Sequence, residues 1–96
     1  MKEANELFDK IAPLAHQIVD LMKQKFEFTK QEVNEILNTN SRDTNRMEHA
    51  LDSLLECIDF GMGEDEFFKL INRLIKLDSQ AADDYLKFYE EHKTQE

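Results

Sequence analysis

One proline, Pro13, and two glycines, Gly61 and Gly63, are all the strong backbone punctuation in a chain of 96 residues. A many-stranded sheet needs turn residues at each reversal, so this scarcity, beside abundant Leu, Glu, Lys, Asp, Ile and Ala, selects helices. The length suits one domain over residues 1–96 with a single core. Hydrophobic residues at 41%, with seven Phe and two Tyr, supply enough apolar surface to offset the ordering of the chain. The expected fold is all-α, a compact antiparallel bundle of about four to five helices.

The apolar spacing divides the chain. Leu7, Ile11, Leu14, Ile18 and Leu21 recur at steps of four, three, four and three, and Phe8, Ala15, Val19 and Met22 widen the same face. This predicts an amphipathic helix from about Glu3 to Lys25 that faces the core, either kinked or divided by Pro13. In "FTKQEV", Thr29 and Glu32 have the spacing of a capping box, and Phe28 and Val33 that of a hydrophobic staple, so a new helix is expected from Lys30. It turns Val33, Ile36 and Leu37 inward and stops near Asn38, before the cap-forming run "NTNSRDTN". The next helix starts between Ser41 and Asn45, with Met47, Ala50, Leu51, Leu54, Leu55 and Ile58 inside. Gly61 is placed for a left-handed cap, and Glu64, Asp65 and Glu66 fall in the first turn of a helix whose core face is Phe67, Leu70, Ile71, Leu74 and Leu77. Asp78 or Ser79 caps a last helix that buries Ala81, Ala82, Tyr85, Leu86 and Tyr89. Short connections are thus expected after Phe26, Asn38, Phe60 and Leu77, with "HKTQE" frayed. There is no internal repeat, heptad array or low-complexity linker.

Catalytic and metal chemistry find no support in the motifs. Counting from Asp59, the alternate positions of a calcium loop are Gly61 and Gly63, which carry no oxygen ligand. "DFG" at residues 59–61 stands without a glycine-rich loop or catalytic loop. His16, His49 and His92 are far apart, none with a second His or a Cys one turn away, and no paired ExxH exists. The single cysteine, Cys57, adjoins the inner stripe and reads as an inert buried thiol. With no phosphate loop, nucleophile elbow or dinucleotide fingerprint, the expectation is no enzyme, no cofactor and no metal. Neither a signal peptide nor a spanning apolar run is evident, which points to a cytoplasmic protein off the membrane.

Charge gives the sharper clue. The net charge is −9, and residues 47–66 hold seven acidic residues and no Lys or Arg. Such a field repels phosphate backbones, so direct nucleic-acid binding is disfavoured and a basic protein partner favoured. Glu48, Asp52, Glu56, Asp59, Glu64, Asp65 and Glu66 are the candidate steering groups, and Phe88 and Tyr89 the candidate apolar anchors of an interface, a homodimer included. An alternative presents the same carboxylates where phosphates would lie, making the chain a nucleic-acid mimic that inhibits a DNA- or RNA-binding host protein.

At "LINRLIKLDSQAADDYLKFYEEH", residues 70–92, the apolar helix followed by Leu77, Asp78, paired alanines, "DY" and a further Tyr resembles the C-terminal part of small helical proteins on mobile elements of Gram-positive bacteria. The resemblance implies a mobile-element or phage setting and carries over no catalytic residue. The expected function is that of a small acidic protein-binding accessory or regulatory factor.

Overall fold

The computed structural model describes the backbone of residues 2–94 and the side chains of residues 14–92. Four helices follow in order: α1 (Lys2–Asn38), α2 (Thr44–Ile58), α3 (Glu64–Leu77) and α4 (Ser79–Thr94), with no strand among the described residues.

Their ends are set by local chemistry. At the end of α1 the amides of Asn40 and Ser41 donate to the carbonyls of Leu37 and Ile36, with Asn40 in the left-handed region at φ 51°. That pair of bonds is a Schellman motif, with Asn in the position more often held by Gly. Asp43 caps α2, its carboxylate accepting from the Arg46 amide at 3.1 Å. At the other end of α2, Gly61 at φ 79° completes a second Schellman motif, in which the amides of Gly61 and Met62 reach the carbonyls of Ile58 and Cys57. The left-handed Gly61 is therefore as expected. Gly63, also left-handed, opens α3, whose first turn holds Glu64, Asp65 and Glu66. Asp78 both ends α3 and caps α4, its carboxylate accepting from the Ala81 amide at 3.1 Å.

The core forms where the four stripes meet. Val33 and Ile36 of α1, Met47, Leu51 and Leu54 of α2, and Phe67, Leu70 and Leu74 of α3 are completely buried, and Ala82 of α4 joins them. Phe67 stacks on Tyr89 at 5.3 Å, while Phe68 meets both rings edge-on. Arg73 of α3 ties down the α1–α2 connection by donating to the carbonyls of Asn40 and Ser41 at 2.9–3.2 Å.

Two expectations about the first 38 residues are corrected. There is no break near Phe26 and no new helix at Lys30: α1 is one helix of 37 residues, running through Pro13 without division. Thr29 does not cap, because its position is in phase with Val33 and Ile36, and burial of that stripe turns the threonine inward. Phe28 is correspondingly no staple and stands exposed. Second, Leu14, Ile18, Val19 and Leu21 do not face a core. Neighbouring chain gives out there: α2 ends at Ile58, close to where Glu56 pairs with Lys25 of α1, and the turn through Gly61 and Gly63 sends the chain back as α3. Leu7, Phe8 and Ile11 of the same expectation lie outside the described side chains. The last helix runs to Thr94, so His92, Lys93 and Thr94 of the stretch expected to fray are helical instead, and residues 95–96 lie outside the described backbone.

Candidate functional site

The acidic stripe of α2 and the aromatic stripe of α4, separate in the sequence, become one face. Positions 85, 88 and 92 of α4 fall on one side of the helix at successive turns. From that side the Tyr85 hydroxyl donates to Asp52 Oδ1 at 2.8 Å and to the Glu48 carbonyl at 3.2 Å. One turn beyond Phe88, the His92 ring nitrogen Nδ1 lies 2.8 Å from Asp59 Oδ1. Phe88 stands between these two attachments, its ring edge-on to Tyr85 at 5.6 Å and its outer half in solvent. Burial, followed by the hydrogen bond to Asp52, holds the Tyr85 hydroxyl well above its ordinary pKa, so it remains a neutral donor to that carboxylate.

The other expected site residues distribute around this face. Glu56 turns to the opposite side of the α2 stripe, toward Lys25 of α1. Glu64 accepts from the Tyr89 hydroxyl at 2.6 Å, which links the first turn of α3 to α4. Asp65 is exposed and Glu66 half-buried beside them. Tyr89 itself is drawn into the core by its stack on Phe67, so of the two aromatic candidates only Phe88 presents a ring to solvent. The three histidines do not converge: His16 is exposed on α1, His49 on α2, and His92 is held at Asp59. Among the described residues no group of three His, Cys, Asp or Glu side chains is placed to hold a metal ion. Cys57 is fully buried, and burial raises its thiol pKa, against the pull of Lys25.

A second feature is a groove of about 440 Å³ between α1 and the first half of α2. Thr29 and Ala50 line it with Phe28, His49 and Ser53, and the Glu32–Arg46 pair spans it. Arg46 also reaches Glu35 at 3.3 Å, and its guanidinium holds the Glu32 carboxyl below the usual range. No local motif announces this groove. The signal that would have exposed it is the unbroken phase of Thr29, Val33 and Ile36 with the preceding apolar stripe. That phase puts Phe28 on the flank of a continuous helix.

No helix among the described residues is long and apolar enough to cross a membrane. Comparison of the chain with protein-family models, with curated proteins and with solved structures finds no match.

Proposed function

We propose that the protein is a non-catalytic, acidic protein-binding accessory or regulatory factor, and that its partner is a basic protein segment received at the α2–α4 face. The observation that carries this is the placement of Phe88: a half-exposed ring between two carboxylates, Asp52 and Asp59, each held in position by a neighbour on α4. An apolar anchor flanked by two carboxylates held in place suits a partner that offers a cationic segment with one apolar side chain. The antiparallel order of the helices belongs to the same reading. It is supported by pairings in which α1 residues 25 and 32 meet α2 residues 56 and 46. The resemblance at residues 70–92 adds a bacterial mobile-element or phage setting and a cytoplasmic place of action.

Capture from a Gram-positive lysate under a salt gradient, with the partner identified by mass spectrometry, starts the test. The affinity of that partner is then measured for Phe88→Ala and for the double variant Asp52→Asn, Asp59→Asn. Asparagine keeps an oxygen to accept from Tyr85, so the double variant removes charge without removing the attachment. Phe88→Ala is expected to weaken binding by about tenfold or more through dissociation, and the double variant to slow association and flatten its salt dependence. Affinity unchanged by both variants sinks the proposal. Competition by DNA for the same partner, with charge removal costing more than loss of Phe88, turns it into nucleic-acid mimicry.

A further inference from the structure

Residues 14–28 of α1 carry an apolar stripe that no described residue of the chain covers. Leu14, Ile18, Leu21 and Phe28 are 59%, 52%, 62% and 74% exposed. Their steps of four, three and seven are those of a coiled-coil seam, and Lys25 fills the one intervening position. At those exposures the four side chains present on the order of 450 Å² of apolar surface, as much as the largest apolar patch on a typical monomer. Interfaces are a little over half apolar by area, so this corresponds to about 800 Å² per partner, the amount a stable dimer needs.

Charge identifies the occupant. Elsewhere two copies of a chain with net charge −9 repel. Residues 14–28 hold two basic and two acidic residues, Lys23, Lys25, Asp20 and Glu27. The seam is edged by Gln17 and Gln24 on one side and by Ala15 and Met22 on the other. A second copy meets no like charge at this stretch. We propose that it is a homodimer seam, in which two α1 helices pair in opposite directions about a two-fold axis near residues 19 and 20. Ile18 of each copy then packs on Leu21 of the other, and Leu14 on the aliphatic stem of Lys25. A parallel pairing is disfavoured: it sets Lys25 against Lys25 and brings the two acidic bundles to the same end. The proposal uses a different surface from the α2–α4 face and stands or falls separately from it.

Sedimentation equilibrium of the full chain from about 1 to 500 μM, a range that brackets ordinary dimer affinities, tests it directly. The wild type is expected to pass from monomer to dimer. Ile18→Glu is expected to raise the dissociation constant at least ~100-fold, because it places a carboxylate in the seam. Ile18 touches no core in the monomer, so the variant's helical circular dichroism should match the wild type at the lowest concentration. Phe88→Ala should leave the dimer intact. Orientation is read by oxidative cross-linking: a mixture of Gln17→Cys and Gln24→Cys chains should give the mixed disulfide-linked dimer, and Gln17→Cys alone none. A wild type that stays monomeric throughout, a dimer indifferent to Ile18→Glu, or cross-linking of Gln17→Cys to itself overturns the proposal.

Discussion

At the scale of the residue, Tyr85 shows how a sequence with few hydrogen-bonding side chains in its core attaches a last helix. Its ring is buried, and its one hydroxyl proton goes chiefly to the Asp52 carboxylate at 2.8 Å and is shared with the Glu48 carbonyl at 3.2 Å. Tyr85→Phe keeps the packing and deletes both bonds, leaving Asp52 and the Glu48 carbonyl to water. A loss of about 1–2 kcal/mol in urea unfolding at pH 7 is expected. The pH dependence follows from the raised pKa. The folded state holds the phenol proton beyond the ordinary value of 10, at which the unfolded chain begins to release it. The stabilisation is therefore complete below pH 10 and is lost as pH rises from there toward the folded value. The gap in stability between wild type and Tyr85→Phe should thus narrow between pH 9 and pH 11. A gap that stays constant across that interval contradicts the assignment. The same residue explains why Phe88 is exposed: with positions 85 and 92 fixed on α2, the side chain between them is left at the rim.

At the scale of the element, the two glycines perform different tasks although both are left-handed. Gly61, at φ 79°, has no atom within 4 Å of where a Cβ would stand, whereas a Cβ on Gly63, at φ 94°, would meet Leu54 Cδ2 at 3.0 Å and Phe26 Cε1 at 3.4 Å. Gly61→Ala therefore carries only the conformational penalty of a left-handed alanine, about 1 kcal/mol. Gly63→Ala adds displacement of a fully buried leucine and should cost about 2–3 kcal/mol. Thermal unfolding of the two variants should rank them in that order, and equal losses would show that the α2–α3 turn relaxes away from Phe26. These caps were legible in the sequence because a cap is decided within a few residues. Gly61 was identifiable outright, Asp78 as one of two adjacent candidates, and the start of α2 only to within residues 41–45, Asp43 emerging as its cap from the structure; the inner faces of α2, α3 and α4 followed from the apolar spacing. What was not legible depended on neighbours. Thr29 and Glu32 have the spacing of a cap, yet Thr29 is also in phase with Val33, and only the approach of α2 and α3 decides for burial. The groove beside Phe28 needed the apposition of α1 and α2. The joining of the acidic and aromatic stripes needed the Tyr85 and His92 contacts, which no spacing rule supplies.

At the scale of the whole molecule, the four helices enclose one compact core from which half of α1 projects. The radius of gyration is 16.7 Å and the long axis 57 Å. A compact domain of this length has a radius near 12.5 Å, and a helix of 37 residues is itself about 55 Å long, so the excess is α1. Leu14, Ile18 and Leu21 on this helix are exposed and add no burial to the core, so the surface that water disfavours there must be met by whatever covers it. In the antiparallel pairing, residue 38 of one α1 comes opposite the first residues of the other. The overlap is almost complete, and the dimer is scarcely longer than one copy. Small-angle scattering at a concentration where the mass has doubled should therefore give a maximum dimension of roughly 60–75 Å, set by α1 at 1.5 Å per residue with one bundle beside each end. Contact between the projecting tips alone would instead produce a particle of about 100 Å or more, since two long axes would then add with little overlap. That result would remove Ile18 and Leu21 from the interface.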